Sequence, residues 1–304
     1  MLKYLPAPLR GALTLLLYSV NTIGCFVTML PVIFLKVVLF VPAIRRGVTG
    51  VLMRMGSAWI EINSAILWLT QSIEWDVEGI EGFDKTDSYL VISNHRSWAD
   101  IFVLQHLFKH RIPFLKFFLK KELIWVPLMG VAWWALDFPF MKRYSREYIK
   151  KHPEMKGKDI ETTRRYCERF KHSPISVINF LEGTRFDYDK LEKQQSPYRH
   201  LLLPRAGGVA IVLSSMGQCL SSIIDVTIVY PENTPPLSFW DFVSGKIKTV
   251  AVRVRSLPIP RAFVTGNYEQ DPEFQRQFRQ WVNELWDEKD RQIDAILNQY
   301  QGAD

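Results

Sequence analysis

The sequence predicts an α/β fold, in which a central, mostly parallel sheet is flanked by helices and preceded by an N-terminal hydrophobic helical membrane anchor. Three observations support this prediction. Short apolar runs alternate with longer amphipathic segments after residue 75, which is typical of strands joined by helices. Polar clusters directly follow two of the apolar runs. An almost unbroken apolar stretch extends from Ala12 to Ile44.

The composition fits one large domain with a short appendage. The 304 residues are 48% hydrophobic, and 38 Lys and Arg against 31 Asp and Glu give a net charge of +7. Such a charge favours an anionic partner, which includes nucleic acid, an acidic membrane surface and a phosphorylated substrate. Three scattered cysteines without metal-ligand spacing argue against a disulfide framework and fit a reducing compartment.

The apolar stretch from Ala12 to Ile44 predicts the membrane anchor. As a helix it is about 50 Å long, which exceeds the hydrocarbon core but is too short for two full spans. Basic residues flank both of its ends, which favours the cytoplasmic face for both. We therefore expect a kinked or re-entrant anchor that is broken between Asn21 and Pro31, and a single tilted span is the alternative.

Residues 48–75 predict a second helix, because apolar residues recur at helical spacing from Val48 to Leu69. This helix either packs on the anchor or lies at the membrane interface. The predicted domains are accordingly an anchor of residues 1–74 and an α/β domain of residues 75–304.

The α/β domain is predicted from alternating short apolar runs and helical patterns. Asp271 and Pro272 have the types expected of an N-cap and a first helical residue. The expected strands are Trp75–Val77, Tyr89–Ile92, Pro113–Leu119, Pro139–Met141, Ser176–Phe180, Ser222–Tyr230 and Thr249–Val254, and the expected helices are Trp98–Lys109, Lys120–Ala135, Asp159–Phe170, Ala206–Met216 and Pro272–Tyr300.

A candidate catalytic pair follows the strand that ends at Ile92. A helix should begin near Ser97, because Ser97 and Asp100 have the spacing of a capping box. His95 then lies in the turn between strand and helix, where α/β sheets place reactive groups. Asp100 can accept one imidazole N–H and leave the other nitrogen as a base. No serine or cysteine nucleophile is implied, so the attacking group would come from the substrate.

Three further clusters offer donors to an anion. Glu182, Gly183, Thr184 and Arg185 follow a strand, and there the glycine permits a tight turn while the guanidinium can bind phosphate. Lys142 and Arg143 follow a short strand and could clamp a phosphate, although such a pair is usually a solvated face. Arg205 precedes two glycines at a predicted helix start, where backbone N–H groups suit an anion.

These residues resemble the motifs of a known family. Asn94 to Asp100 resembles the His-x4-Asp motif of the glycerolipid acyltransferases, and Phe180 to Arg185 resembles their Phe-Pro-Glu-Gly-Thr-Arg motif. Phe140 to Arg143 and Val226 to Pro231 resemble two further blocks, in family order over residues 75–235. Leu181 replaces the usual proline, and Thr227 replaces a common one. The closest resemblance is to bacterial 1-acylglycerol-3-phosphate acyltransferases, in particular the YihG-type branch.

The resemblance implies roles for individual residues. His95 would be the general base that deprotonates a lysolipid hydroxyl, and Asp100 would orient it. The candidate substrate-binding residues are Lys142, Arg143, Glu182, Gly183, Thr184, Arg185 and Arg205. No metal and no cofactor is expected, because the acyl donor, acyl-CoA or acyl-carrier protein, is itself an activated thioester.

The expected function is membrane-bound acyl transfer to 1-acylglycerol-3-phosphate, giving phosphatidic acid. The expected location is the cytoplasmic side of a bacterial inner membrane, in contact with anionic lipid. Remodelling of lysophosphatidylglycerol or lysocardiolipin is an alternative, and a non-catalytic membrane scaffold that binds anionic lipid is another. A Gly-x-Ser-x-Gly elbow and nucleic-acid-binding signatures are absent, which disfavours a lipid hydrolase and a nucleic-acid partner.

Overall fold

A computed structural model describes residues 2–39, 41–141, 174–233, 235–264, 266, 268 and 271–302. Eight α-helices and eight strands lie within these ranges. The helices are α1 (Ala7–Val38), α2 (Pro42–Thr70), α3 (Ala99–Phe108), α4 (Met129–Ala135), α5 (Tyr188–Gln194), α6 (Ala206–Met216), α7 (Phe239–Val243) and α8 (Pro272–Gln301). The strands are β1 (Glu74–Glu78), β2 (Tyr89–Ser93), β3 (Leu115–Phe117), β4 (Leu119–Lys120), β5 (Phe140–Met141), β6 (Ser176–Phe180), β7 (Ser222–Val229) and β8 (Thr249–Leu257).

Six of the strands form the predicted central sheet, in the order β1-β8-β7-β2-β6-β3. All neighbouring pairs are parallel except β7 and β8, which are antiparallel. β4 and β5 form a separate parallel pair. The prediction of a mostly parallel sheet flanked by helices is therefore confirmed.

β2 is the centre of this sheet, and its five residues are all buried. Leu90 and Ile92 face one core cluster, which includes residues of α6 and α8. Tyr89 and Val91 face the other cluster, which includes residues of α2 and α3. Side chains of a strand alternate between its faces, so a strand covered on both sides is apolar along most of its length, as β2 is from Tyr89 to Ile92.

The N-terminal helices form an antiparallel pair, in which α1 ends at Val38 and α2 begins at Pro42. The predicted break between Asn21 and Pro31 is wrong, because α1 continues through both residues. The Asn21 amide donates to the Trp59 carbonyl at 3.1 Å and to Asn63 Oδ1 at 2.8 Å, so α2 satisfies its polar group. Of the two alternatives for α2, packing on α1 is the observed one.

α1 is long and apolar enough to cross a membrane by length and composition. Its outward face is also exposed: Leu16, Val27 and Phe34 are 58%, 55% and 67% accessible. Water-exposed apolar residues along a whole helix are costly, so this face suits contact with lipid.

The predicted helix from Lys120 to Ala135 is wrong. Lys120 ends β4, a 3-10 turn covers Lys121–Trp125, and α4 begins only at Met129. Pro127 lacks an N–H, and Leu128 adopts a positive φ of 62°, so a continuous helix cannot pass through this segment. The expected strand Pro113–Leu119 is divided between β3 and β4, and α5 and α7 were not predicted. The expected helix Asp159–Phe170 lies outside the described residues.

Candidate active site

Three polar groups follow three neighbouring parallel strands. His95 comes after β2, Glu182 after β6 and Tyr230 after β7. Because the strands run in the same direction, all three groups meet where the carboxyl ends of these strands lie. We call this side of the sheet its carboxyl edge and the opposite side its amino edge. The Asn94 side chain fixes the turn after β2, since it donates to the Ile228 carbonyl and accepts from the Ile228 N–H, both at 2.8 Å.

Asp100 is fully buried and is held by four hydrogen bonds. Its Oδ2 atom accepts from His95 Nδ1 at 2.8 Å, from the Arg96 N–H at 2.7 Å and from the Ser97 N–H at 2.9 Å. Its Oδ1 atom accepts from the Tyr230 hydroxyl at 2.6 Å. The hydrogen bond from the Ser97 N–H to Asp100 is one half of the predicted capping box. The other half is not formed, because the helix begins at Ala99 and Ser97 Oγ accepts from the Ala99 N–H.

The hydrogen bond to Asp100 decides which imidazole nitrogen is free. A carboxylate only accepts, so Nδ1 carries the proton and Nε2 has its lone pair available. The His95 ring stacks on Phe180 at a centroid distance of 4.0 Å and an interplanar angle of 14°. Its side chain is 12% exposed, so the ring is held by its neighbours but is not sealed from solvent. This arrangement can remove a proton from a hydroxyl group.

The Glu182 carboxylate lies inside the protein. Its Oε1 atom accepts from the His95 N–H at 2.7 Å, and its Oε2 atom accepts from the Leu202 N–H at 3.1 Å. Burial raises the pKa of Glu182 to about 7, although these backbone hydrogen bonds and the nearby Arg96 oppose that rise. The geometry favours a role in positioning the His95 backbone over direct contact with a glycerol phosphate.

The remaining predicted residues of this cluster lie on the surface beside His95. Gly183 has a φ of +66°, and a Cβ there would approach Arg205 Cδ to 2.9 Å, so the Arg205 side chain crosses directly over the glycine. The exposed Arg185 guanidinium stacks over the Trp98 ring at 4.9 Å. Thr184 Oγ1 accepts from Lys190 Nζ at 3.3 Å. Two guanidinium groups are thus available to an anion.

Backbone bonds tie this loop to the His95 turn. The Phe186 N–H donates to the His95 carbonyl at 2.7 Å, and the Leu181 N–H donates to the Ser93 carbonyl at 3.2 Å. The structure therefore brings His95, Asp100 and the loop with Arg185 together. Lys142 and Arg143 lie outside the described residues.

Sequence reasoning missed two residues of the site. Tyr230 ends an apolar run and reads as a core residue, and only the pairing of β7 with β2 brings its hydroxyl to Asp100. Burial and the neighbouring Asp100 carboxylate raise the pKa of Tyr230 far above its ordinary value, so it stays a donor. Arg96 is buried, with its guanidinium 4.6 Å from the Phe186 ring centroid. The sequence signal that could have identified Arg96 was its position next to His95.

The fold and this constellation define a class. A family model described as Acyltransferase matches residues 74–231, which include β1, the His95 turn, the Glu182 loop and Tyr230. The chain belongs to the acyltransferase family. The resemblance seen in its motifs is confirmed at this level, and the assignment to the YihG-type branch stays a prediction.

Named relatives narrow the comparison to glycerolipid enzymes. The chain is 27% identical to 1-acyl-sn-glycerol-3-phosphate acyltransferase 3 of Arabidopsis thaliana over 73% of this chain and 57% of that protein. It is 25% identical to lysocardiolipin acyltransferase 1 of Gallus gallus over 86% of this chain and 66% of that protein. The chain thus spans about half to two thirds of the curated relatives it matches.

A solved structure shares the fold over nearly the whole chain. It is the 1-acyl-sn-glycerophosphate acyltransferase PlsC of Thermotoga maritima, with a TM-score of 0.54 and 18% sequence identity. The likeness covers 94% of this chain and 98% of that one, so it extends across the helical pair as well as the sheet.

Proposed function

We propose that the chain transfers a fatty acyl group from a thioester to the free hydroxyl of 1-acylglycerol-3-phosphate, giving phosphatidic acid. The observation that carries this proposal is the 2.8 Å hydrogen bond between His95 Nδ1 and Asp100 Oδ2, which leaves Nε2 free on a side chain that is 12% exposed. Family membership and relatives named for this activity support it.

In the proposed reaction, His95 Nε2 takes the proton of the lysolipid hydroxyl as its oxygen attacks the thioester carbonyl. The tetrahedral intermediate then collapses, the carbon–sulfur bond breaks, and the imidazolium returns its proton to the departing thiolate. Asp100 holds the ring and stabilises its charged form. Such general-base assistance contributes about 10²–10⁴-fold in rate, and alignment of the two substrates contributes more.

The phosphate of the acceptor would bind to Arg185 and Arg205, which flank Gly183 on the accessible side of the site. Guanidinium groups bind phosphate through two parallel hydrogen bonds, which fixes the distance from the phosphate to the reacting hydroxyl. Lys142 and Arg143 remain proposed partners of the same phosphate.

The proposed setting is the cytoplasmic face of a bacterial inner membrane, which supplies the lysolipid. The exposed apolar face of α1 and the net charge of +7 support contact with an anionic bilayer. The proposed acyl donor is acyl-CoA or acyl-carrier protein, both of which are cytoplasmic thioesters.

Acyl transfer to another lysophospholipid is the second candidate. The match to lysocardiolipin acyltransferase 1 covers 86% of this chain, more than the match to the Arabidopsis thaliana relative. Lysocardiolipin and lysophosphatidylglycerol also carry a phosphate that the two arginines could bind. A membrane scaffold without activity would have no use for the free His95 Nε2.

The test is a substrate panel with the purified chain in mild detergent. Radiolabelled acyl-CoA and acyl-carrier protein are each offered with 1-acylglycerol-3-phosphate, lysophosphatidylglycerol, lysocardiolipin and lysophosphatidylcholine. We expect the highest kcat/KM for 1-acylglycerol-3-phosphate. A higher kcat/KM for lysocardiolipin would favour the second candidate function over the first. Binding of a lysolipid without acyl transfer from either donor would support the non-catalytic scaffold.

A further inference from the structure

A large cavity lies at the amino-terminal edge of the sheet, opposite His95. Its volume is about 920 Å³. It is lined by Lys85, which precedes β2, by Pro174, which precedes β6, and by Leu115, the first residue of β3. His95 follows the other end of β2, and a strand of five residues spans about 17 Å. The cavity is therefore separate from the candidate active site.

Among the described residues that line this cavity, positive charge dominates, with seven Lys and Arg against two acids. Both acids already have partners: Glu61 pairs with Lys109 and His110, and Asp137 pairs with Lys36 at 2.9 Å. Three of the lining cations, Arg45, Arg46 and Arg54, come from α2. None of the three has a carboxylate partner among the described residues. The cavity has charge to offer an external anion.

One face of α2 forms a wall of the cavity, and along this face arginines alternate with small residues. Arg46, Gly50, Arg54 and Ser57 recur at spacings of four, four and three residues, so they share one helix face. A Cβ at Gly50 would meet no atom within 4 Å. Gly50, between the two arginines, leaves room for a ligand to lie against the helix.

The floor of the cavity is apolar. Ile60, Phe108, Ile112 and Leu115 line it, and each is at most 7% exposed. A soluble anion gains nothing from such a floor, whereas an amphiphile buries its hydrocarbon part there and keeps its charged group at the rim. The shape and volume thus favour a ligand with both parts.

The rim of the cavity is continuous with the exposed apolar end of the helical pair. Pro42 and Arg45 line the cavity, and they alternate with Val41 and Ile44, which are 53% and 48% exposed. The start of α2 therefore carries exposed apolar residues and the cationic rim together. A ligand could move from a bilayer into the cavity without crossing water.

We propose that this cavity binds an anionic phospholipid, with its headgroup phosphate on Arg46 and Arg54 and its hydrocarbon part on the apolar floor. The site is distinct from the acceptor site beside His95 and does not depend on the acyl-transfer function. A free phosphate could also bind the arginines, so the experiment separates the two sources.

The test uses the full chain in non-ionic detergent, titrated with phosphatidylglycerol or with phosphatidylcholine of the same acyl chains, with bound lipid counted by native mass spectrometry. We expect the Kd for phosphatidylglycerol to be about tenfold lower than that for phosphatidylcholine. Arg46→Gln/Arg54→Gln should raise the phosphatidylglycerol Kd about tenfold. The matched control, Arg276→Gln/Arg279→Gln on α8, removes the same charge elsewhere and should change it less than about twofold.

A second variant tests the cavity itself. Gly50→Leu fills open space, keeps the charge and improves helix propensity, so it should fold while raising the Kd for both lipids. Equal effects of the two arginine pairs, or no effect of Gly50→Leu, would overturn the proposal, because the lipid would then bind to general surface charge. Competition by glycerol 3-phosphate at the affinity of the whole lipid would also overturn it, since the ligand would then be a soluble phosphate.

Discussion

Charged groups at the two edges of the central sheet differ in whether they have partners within the protein. At the carboxyl edge, Asp100 and Glu182 are buried, and every carboxylate oxygen accepts at least one hydrogen bond from the protein. At the amino edge, Arg45, Arg46 and Arg54 line a cavity without a carboxylate partner among the residues described. The buried carboxylates at the first edge are satisfied within the protein, whereas the α2 arginines at the second edge are left for an external group.

The difference separates two physical tasks. A catalytic base works best when its orientation is fixed before the substrate arrives, since the cost of ordering it is then met during folding. A binding cavity instead gains from unpaired charge, because a ligand has no internal partner to displace. The carboxyl edge fits the first description and the amino edge fits the second.

The largest effect should come from the imidazole. His95→Ala should lower kcat about 10²–10⁴-fold, because the lysolipid hydroxyl loses its base while the phosphate site remains. Steady-state kinetics with 1-acylglycerol-3-phosphate and acyl-CoA measures it. His110→Ala removes a histidine that pairs with a carboxylate at the other edge, and it should leave kcat near the wild-type value. Comparable losses in both variants would contradict a catalytic task confined to one edge.

The next effect concerns stability and pH at Glu182. Its pKa is raised by burial from 4.5 to about 7, so the folded chain holds a proton in this range that the unfolded chain releases. Its contribution to stability is complete below about pH 4.5 and is lost as the pH rises through 7. The wild-type advantage over Glu182→Gln in unfolding free energy should fall by up to about 3 kcal/mol between pH 4.5 and pH 8.

Urea unfolding in mild detergent at four pH values measures this difference. The comparison with Glu182→Gln removes the pH dependence of all other groups, because both proteins share them. An advantage that grows with pH would show that the buried carboxylate is stabilised in its charged form by the His95 and Leu202 backbone.

A smaller effect is expected at the phosphate site. Arg185→Ala should raise the KM for 1-acylglycerol-3-phosphate about tenfold or more, because a charge-assisted phosphate contact is lost, and it should change the KM for acyl-CoA less than about twofold. Arg199→Ala removes an exposed arginine that pairs with Asp294 and serves as the control. If both KM values rise equally in Arg185→Ala, the loop has unfolded and the phosphate assignment has no support.

The smallest effect should come from Tyr230→Phe, which removes one donor from Asp100 Oδ1. We expect kcat to fall about tenfold, because one hydrogen bond to the buried carboxylate is lost. The carboxylate should then stabilise the imidazolium more, so the acidic limb of the kcat/KM profile moves to higher pH. Tyr89→Phe, which removes a hydrogen-bonded hydroxyl at the other end of β2, should leave the profile unchanged. An unchanged profile in Tyr230→Phe would reduce Tyr230 to a packing residue.

Part of this site was visible in the sequence because it is local. His95 and Asp100 are five residues apart, so their approach depends on one strand, one turn and the first turn of one helix. Gly183 correctly predicted a tight turn, since the positive φ that it adopts is most accessible to glycine. The backbone contacts of Glu182 could not be read from the sequence, because its partners, His95 and Leu202, lie 87 and 20 residues away.

The same limit explains the errors in the fold. Asn21 and Pro31 weaken a helix locally, yet α1 continues because α2 supplies partners to Asn21. Conversely, the apolar residues around Trp125 and Trp134 suggested one long helix, and the positive φ of Leu128 divides it. In both segments, non-local packing or a single backbone conformation outweighed the pattern of side chains.

The sequence by itself determined the alternation of strands and helices, the apolar N-terminal helices, the His95–Asp100 pair and the family, because each follows from periodicity or from residues close in the chain. Only the tertiary structure decided that Tyr230 reaches Asp100, that Glu182 faces inward, and that cations of α2 meet the floor between α3 and β3 in one cavity. The reason is that such contacts depend on which strands become neighbours, and strand order is a property of the whole chain.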